Sequence, residues 1–187
     1  MTTQTLPAGP EWFGHPRGLF VCFATEMWER FSFYGMKYLL VLFLVQHHLF
    51  TDGEALRILG AYAALVYAMP LLGGLVSDRY LGQTNAVKLG GILLVLGHCA
   101  MAFEGVPASQ TAAGAIVRDE QAISVFYFAL ALIVVGVGLL KPNISTVVGK
   151  LYGDNDPRRD GGFTIFYMGI NIGAASAALL CGWLASA

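Results

Sequence analysis

The sequence predicts an all-α membrane protein with about five transmembrane helices. Of its 187 residues, 56% are hydrophobic and only 12% are charged, whereas a soluble domain usually carries about 25% charged residues. The charges fall mostly between apolar runs that are long enough to cross a hydrocarbon layer of about 30 Å as helices. The formal net charge of −1 provides no excess of basic residues for nucleic acid. The lipid bilayer is therefore a predicted partner, and nucleic acid is not expected to be one.

A polar leader and five spans account for the whole chain. The leader comprises residues 1–17, and residues 18–187 form one partial transmembrane bundle. Its spans are predicted at residues 18–50, 55–76, 85–103, 121–148 and 162–185. At 1.5 Å per residue the first span would be about 45–50 Å long, so it must tilt, bend or protrude.

Short polar segments separate the spans. Thr51 or Asp52 is suited to cap the second helix. Residues 77–83 are predicted to form a helix-to-helix loop, and residues 149–160 a polar loop dense in charge. The longest connection is expected at residues 104–120.

The distribution of Lys and Arg predicts a cytoplasmic N-terminus, because cytoplasmic segments carry an excess of these residues. With that orientation the inner segments hold Arg17, Arg79, Lys88, Lys150, Arg158 and Arg159. The outer segments hold only Arg57 and Arg118. We therefore expect an integral membrane protein of a bacterial inner or plasma membrane with its N-terminus inside.

The sequence does not favour an enzyme or a metal site. Cys22, Cys99 and Cys181 lie far apart in apolar runs, where cysteine usually behaves as a small buried hydrophobe. No nucleophile–base pair, cluster of metal ligands or phosphate-binding loop is apparent. We expect no catalytic residue, no metal ligand and no cofactor.

Four formal charges interrupt the first predicted span, at Glu26, Glu29, Arg30 and Lys37. Each costs about 2.5–3.5 kcal/mol on membrane-insertion scales. At roughly 100° per residue, all four lie on one helix face. Glu26 and Arg30 are four residues apart and are predicted to pair, leaving Glu29 and Lys37 to find other partners. The face fits either a structural ion pair or a proton pathway, in which a carboxylate changes protonation when its partner is displaced.

Four segments, in order along four spans, resemble motifs of the proton-dependent oligopeptide transporters of the major facilitator superfamily. They are EMWERFSFYG at 26–35, GGLVSDRYLG at 73–82, GLLKPNIS at 138–145 and FTIFYMGINIGA at 163–174. The resemblance extends over residues 12–184. It implies an incomplete N-terminal six-helix bundle, because family members have twelve core helices in two halves with the binding site between them.

The resemblance implies proton-coupled symport of di- and tripeptides, with protons as the coupling ion. Proton coupling would involve Glu26, Glu29, Arg30 and Lys141. Substrate contacts would come from Tyr34, Lys37, Tyr67, Lys141 and Asn171, and a gating loop would contain Asp78 and Arg79. Two positions depart from the family pattern: Phe33 lacks the hydroxyl of a tyrosine pair, and Lys37 stands where Arg is frequent.

Structural explanations remain open for three of these residues. Lys141 precedes Pro142 and could extend to the membrane interface, Tyr67 could be an ordinary packing residue, and Asn171 could form an interhelical hydrogen bond.

Other functions also remain open. The chain could belong to a symporter of nitrate or another small anion, or to a truncated membrane subunit that does not transport. We expect the chain to be inactive alone, and its expected partners are a small peptide and the C-terminal half of a transporter.

Overall fold

The computed structural model describes residues 10–153 and 155–186, which contain five long α-helices. These are α1 (Arg17–Gln46), α2 (Asp52–Val76), α3 (Gln83–Met101), α4 (Glu120–Gly149) and α5 (Arg159–Ser186). Two short antiparallel hairpins accompany them: β1 (Glu11–Trp12) pairs with β2 (His15–Pro16), and β3 (Ser109–Gln110) pairs with β4 (Ile116–Val117). The predicted all-α membrane fold is confirmed.

Within the described residues, four helical segments are long and apolar enough to cross a membrane. They are Asp52–Leu81, Gln83–Met101, Glu120–Gly149 and Arg159–Ala185. The α1 helix has 30 residues and carries the four charges that interrupt the first predicted span. In α4, 56% of the most apolar stretch is buried, against 17–22% in the other three segments. The wide exposed apolar faces of those three are typical of helices that face lipid or further helices.

The end of α1 and the start of α2 differ from the predicted boundaries. The α1 helix ends at Gln46 rather than at residue 50, and Leu49 in the connection has a left-handed φ of 52°. Thr51, not Asp52, caps α2. Its hydroxyl accepts a hydrogen bond from Glu54 N, while Glu54 Oε2 accepts one from Thr51 N at 2.9 Å. This reciprocal capping box fixes where α2 begins.

The predicted loop at residues 77–83 is almost entirely helical. Ser77–Leu81 continues α2 as a π-helical turn, and α3 begins at Gln83. Gly82 alone separates them, with φ 72° and ψ 150°. Because residues with side chains rarely adopt a positive φ, glycine permits this one-residue joint. The sequence-based prediction of a longer loop was therefore wrong.

The predicted leader contains a hairpin. Residues 1–9 of the leader lie outside the described residues. Strands β1 and β2 are joined by Phe13 and Gly14, whose φ angles are 50° and 77°. Two successive positive φ angles are the geometry of a tight two-residue hairpin turn.

The chain divides into two compact units. Unit 1 comprises Met1–Gly35 and Ile144–Ala187, and unit 2 comprises Met36–Asn143. The boundary crosses α1 and α4, so both helices contribute to both units. The α5 helix belongs to unit 1, whereas α2 and α3 belong to unit 2.

In unit 1 an exposed ionic cluster holds the β1–β2 hairpin. We call it the Arg158 cluster; it contains Glu11, Asp156 and Arg158. Arg158 Nη1 donates to Glu11 Oε1 at 2.8 Å and to the Gly14 carbonyl at 3.0 Å. Arg158 Nη2 donates to Asp156 Oδ2 at 2.8 Å and Nε to Asp156 Oδ1 at 3.0 Å. The guanidinium lowers the pKa of the Asp156 carboxyl to about 2.

In unit 2, glycines bring α3 against α4. A Cβ added to Gly90 would lie 2.6 Å from the Gly136 carbonyl oxygen, and one added to Gly136 would lie 2.9 Å from the Gly90 carbonyl oxygen. Further along α3, a Cβ on Gly97 would lie 2.6 Å from Ile133 Cγ1. Small residues of this kind allow helix backbones to approach closely within membranes.

The connection between α1 and α2 is fastened to the segment before α4, also within unit 2. Arg118 donates from Nε to the His48 carbonyl at 2.8 Å and from Nη2 to the Leu49 carbonyl at 3.0 Å, and it lies 4.4 Å from the Phe50 ring centre. The His48 side chain is 1% exposed. Burial, together with nearby His47 and Arg118, lowers the pKa of its imidazole.

Candidate functional site

Three charged residues of α1 form a buried cluster in unit 1. We call it the Arg30 cluster; it contains Glu26, Glu29 and Arg30, which are 3%, 5% and 4% exposed. Arg30 Nη2 donates to Glu29 Oε1 at 2.6 Å, and Arg30 Nε donates to Glu29 Oε2. Glu26 Oε1 lies farther away, 3.5 Å from Arg30 Nε. The predicted neighbours do meet, but the main partner of Arg30 is Glu29 and not Glu26.

The correction follows from the geometry of the guanidinium group. Adjacent helical residues point about 100° apart and normally do not face each other. The Arg30 side chain is long enough to fold back, and its planar fork matches both oxygens of the Glu29 carboxylate. Helix spacing alone favours the i, i+4 pair, so it predicted Glu26 as the partner of Arg30 when the closer partner is Glu29.

The burial of the Arg30 cluster depends on two glycines of α5. A Cβ added to Gly169 would lie 2.9 Å from the Phe23 carbonyl oxygen. A Cβ added to Gly173 would overlap the Met27 carbonyl group and lie 3.1 Å from Arg30 Cβ. These glycines are one turn apart, so their shared face brings the α5 backbone onto the turn of α1 that carries the cluster. The motif GINIG therefore has a direct role in enclosing the charges.

Phe33, the first departure from the family pattern, supports the same guanidinium. It is 2% exposed, and Arg30 Cζ lies 5.2 Å from its ring centre. A cation over an aromatic face at this distance is stabilised by the ring electrons. Its ring also packs edge-on against half-buried Tyr34, with 5.3 Å between the ring centres. Sequence reasoning treated Phe33 only as a missing hydroxyl and did not find this contact.

The formal charges of Glu26, Glu29 and Arg30 show what binding of one proton would do to the Arg30 cluster. Two ionised carboxylates and one guanidinium sum to a formal charge of −1, and one bound proton makes the cluster neutral. A proton on Glu26 would leave the bidentate pair between Arg30 and Glu29 intact. A proton on Glu29 would instead weaken the main anchor of Arg30.

In unit 2, Lys141 and Tyr67 lie together. Lys141 Nζ is 5.3 Å from the centre of the Tyr67 ring, within the range of a cation–π contact. Lys141 is half-buried on α4, and Tyr67 on α2 is 61% exposed. Lys37, also in unit 2, is half-buried in the second half of α1. The Tyr67 ring is thus partly exposed and has the Lys141 ammonium beside it.

The remaining predicted residues occupy exposed positions. Asn171 is exposed on α5, and its Nδ2 donates to the Tyr167 carbonyl of the same helix at 3.1 Å. This bond is local, not interhelical. Asp78 and Arg79 are exposed on the π-helical turn rather than on a loop, with Arg79 Cζ 5.8 Å from the Tyr80 ring centre.

One buried polar pair was not predicted. Ser77 Oγ donates to Asn143 Oδ1 at 2.6 Å, which joins the π-helical turn to α4 within unit 2. Both residues lie inside the motif segments 73–82 and 138–145. Their position beside Asp78 and Lys141 was visible in the sequence, but spacing alone could not show that they meet.

Within residues 10–153 and 155–186, no group of three His, Cys, Asp or Glu side chains could hold a metal ion.

Comparison with known proteins places these features in a family. Residues 84–187, more than half of the chain, match the family PTR2, described as the POT family. The chain belongs to the POT family. The four motifs that suggested this resemblance are those that contain the Arg30 cluster, the π-helical turn, Lys141 and the α5 glycines.

Several named relatives are similar over almost the whole chain. A peptide transporter of Yersinia enterocolitica, YePEPT, is 43% identical over 98% of this chain and 34% of its own length. A di-/tripeptide transporter of Lactococcus lactis is 44% identical over 91% of this chain and 32% of its own length. An uncharacterised transporter of Bacillus subtilis, YclF, is 47% identical over 92% of this chain. The chain spans about a third of the length of these POT-family relatives.

A solved POT-family structure has the same fold. The crystal structure of the peptide transporter POT in complex with sulfate is 43% identical, with a TM-score of 0.80 over 92% of this chain and 33% of that chain. A POT-family transporter in complex with 5-aminolevulinic acid is 35% identical, with a TM-score of 0.72. These similarities are to transporters and not to enzymes.

Proposed function

We propose that this chain is the N-terminal part of a proton-coupled symporter of di- and tripeptides. The observation that carries the proposal is the Arg30 cluster, which lies buried on α1 of a POT-family chain. Ionisable groups inside membrane proteins are expensive and usually mark ion or substrate pathways. The remaining part of the transporter would supply the second helical bundle, so transport is a property of the complete protein.

Protons are the proposed coupling ion, and the Arg30 cluster is their proposed binding place. The unequal distances of the two carboxylates suggest an order of events. A first proton on Glu26 would neutralise the cluster and leave Arg30 held by Glu29. Displacement of Glu29 would then require Arg30 to find another acceptor, which couples protonation to movement. Lys141 takes part in this coupling as a second cation.

The peptide is proposed to bind through cations and ring or amide groups. The residues assigned to this role are Tyr34, Lys37, Tyr67, Lys141 and Asn171. A lysine ammonium attracts a carboxylate as a point charge and lacks the two-pronged geometry of arginine. The Lys141 contact with the exposed Tyr67 ring supports this assignment, because it leaves a cation beside an accessible aromatic surface.

Asp78 and Arg79 are proposed to act in gating. Their exposed positions on the π-helical turn leave both side chains available for a further helix. We expect Asp78→Asn to change the transport rate more than substrate affinity. The proposed location is a bacterial plasma membrane with the N-terminus in the cytoplasm, which the distribution of Lys and Arg supports.

The decisive experiment is peptide uptake by the complete transporter that carries this chain, reconstituted in liposomes. An inward proton gradient should drive accumulation of a labelled dipeptide. Glu29→Gln should abolish gradient-driven accumulation, because a neutral amide cannot hold Arg30 in the charged bidentate pair whose displacement follows protonation of Glu26. Lys141→Ala should reduce it strongly. Accumulation that does not respond to the gradient would refute the proposal.

Two matched variants separate these effects from general damage. Glu120→Gln removes an exposed carboxylate at the start of α4, and Lys88→Ala removes an exposed cation of α3. Both should leave uptake close to that of the unmodified protein. If they reduced uptake as much as Glu29→Gln and Lys141→Ala, charge at those two sites would have no special role.

A small-anion symporter is the second candidate. It is favoured by the clustering of Lys141 with an exposed ring in unit 2, and a related POT structure contains sulfate. Competition distinguishes the candidates: excess nitrate should not reduce dipeptide uptake if peptides are the substrate. Proton-driven nitrate uptake without dipeptide uptake would favour the anion. Absence of both would favour a membrane subunit that does not transport.

A further inference from the structure

The backbones of α2 and α4 approach closely where proline interrupts the hydrogen bonding of α4. Pro142 has no backbone N–H, so the Gly138 carbonyl lacks the donor that an α-helix would supply. At this point a Cβ on Gly73 would overlap the Gly138 carbonyl, and a Cβ on Gly138 would overlap the Met69 side chain. The α2 backbone therefore lies directly against the carbonyl that the proline releases.

A second contact joins the same helices one turn further along. Ser77 and Asn143 are 0% and 3% exposed, and the Ser77 hydroxyl donates to Asn143 Oδ1 at 2.6 Å. Asn143 Nδ2 donates in turn to the Leu139 carbonyl at 2.7 Å. Because buried polar groups are costly without partners, this pair fixes the separation and the rotation of α2 and α4.

Lys141 lies between these contacts along α4. Gly138 precedes it by three residues and Asn143 follows it by two. Its ammonium lies 5.3 Å from the Tyr67 ring centre, and the attraction extends to about 6 Å. A relative shift of about 1 Å that lengthens this distance would therefore take the ammonium beyond that range.

We propose that Ser77 and Asn143 are positioning residues for Lys141. Their hydrogen bond, together with the glycine contact, holds the Lys141 ammonium over the Tyr67 ring. A lysine side chain has four rotatable bonds and is flexible, so the position of its ammonium depends on where the helix holds the Lys141 backbone. The inference deepens the proposed function, because it rests on Lys141 as the cation that receives the peptide carboxylate.

A spectroscopic test follows the ammonium directly and needs no transport. This chain has four lysines, at positions 37, 88, 141 and 150. In the complete protein, reductive ¹³C-methylation preserves the charge of each lysine and gives each an NMR signal. The Lys141 signal, assigned by its loss in Lys141→Arg, should be displaced upfield by the Tyr67 ring. Tyr67→Leu should abolish that displacement.

Ser77→Ala and Asn143→Ala should each move the Lys141 signal towards its position in Tyr67→Leu. The double variant should move it no further, because each single change already removes the hydrogen bond. Asn85→Ala and Ser124→Ala are the matched controls, since each side chain donates to the carbonyl four residues before it, at Leu81 and Glu120 respectively. Ser77→Cys keeps the side-chain size and serves if Ser77→Ala is not recovered folded. An unchanged Lys141 signal in folded Ser77 and Asn143 variants would overturn the inference.

Dipeptide affinity tests the connection to the proposed function. Ser77→Ala should weaken dipeptide binding about fivefold. This factor corresponds to the roughly 1 kcal/mol of an exposed cation–π contact. In a Lys141→Ala background the same change should have no further effect. A full additional loss there would mean that Ser77 acts independently of Lys141. If Lys141→Ala leaves affinity unchanged, the substrate role of Lys141 fails, while the NMR result still decides whether Ser77 and Asn143 position it.

Discussion

The Arg30 and Arg158 clusters carry the same formal charges in different surroundings. Each contains one arginine and two carboxylates, and each arginine binds one carboxylate through two nitrogens. The Arg30 side chain is 5% exposed and its carboxylate partners 2–4%. The Arg158 side chain is 43% exposed, and those of Glu11 and Asp156 are 37% and 16% exposed.

This difference in burial changes what each ion pair contributes to stability. Water and salt screen the charges of the Arg158 cluster, so each pair there contributes little to stability. In the Arg30 cluster, loss of one partner leaves a charge without water to solvate it. Loss of a charge from the Arg30 cluster should therefore disturb the packing of α1, whereas loss of a charge from the Arg158 cluster should affect only the hairpin.

The largest expected difference between the clusters is the effect of removing the arginine. Arg30→Ala leaves two buried carboxylates and should lower the free energy of unfolding by about 3–5 kcal/mol. Arg158→Ala should not change the thermal midpoint measurably. Thermal unfolding in detergent checks both. Equal destabilisation by the two substitutions would contradict the comparison.

Within the Arg30 cluster, the two carboxylates should differ. Glu29→Gln removes the charged acceptor of two hydrogen bonds and should cost about 1.5–3 kcal/mol. Glu26→Gln should cost less, because Glu26 lies 3.5 Å from Arg30 Nε. Unfolding of the two variants side by side provides the measurement. A larger loss for Glu26→Gln would restore the i, i+4 pair that helix spacing favours.

The burial of the Arg30 cluster should depend on Gly173. Gly173→Ala places a methyl group against the Met27 carbonyl, so α5 must move away from α1 at a cost of about 1–3 kcal/mol. Gly182→Ala is the matched control, since a Cβ there meets nothing within 4 Å. Thermal midpoints should fall for Gly173→Ala alone. Similar midpoints for both variants would show that close backbone approach does not enclose the charges.

The smallest expected effect is the acid response of the Arg158 cluster. The folded pKa of Asp156 is about 2 and its usual value is 3.8. A lowered carboxyl pKa stabilises the folded state above the usual value, and this contribution disappears as the pH falls through about 2. The hairpin should therefore stay attached from pH 8 to about pH 4. Fluorescence of Trp12, with Trp28 and Trp183 replaced by Phe, checks this; release near pH 6 would contradict it.

The sequence predicted the parts of the molecule that depend on composition and periodicity. Long apolar runs predicted the helices. The charges on one face of α1 identified a group of ionisable side chains that is costly to place in a membrane. The sequence could not predict contacts between side chains that only the folded structure brings together. The choice of Glu29 by Arg30 depends on the path of one side chain, and the Ser77–Asn143 bond joins residues 66 positions apart.

Local backbone geometry explains the remaining differences. Gly82 makes a one-residue joint where a polar segment predicted a loop, because its positive φ turns the chain at once. The hairpin at residues 11–16 is held by Arg158, which lies 147 residues from Glu11. No local pattern near the N-terminus could reveal that partner.

The close backbone contacts of α4 have a consequence for the entropy of assembly. Where Gly73 meets Gly138 and Gly90 meets Gly136, helices touch through atoms that have no rotamers. A contact between long side chains would immobilise them and cost up to about 2 kcal/mol each, whereas a glycine loses no side-chain freedom. The cost of glycine is instead carried by the backbone of the unfolded chain. In a membrane, where helices form before they pack, most of that cost is met before α2, α3 and α4 come together.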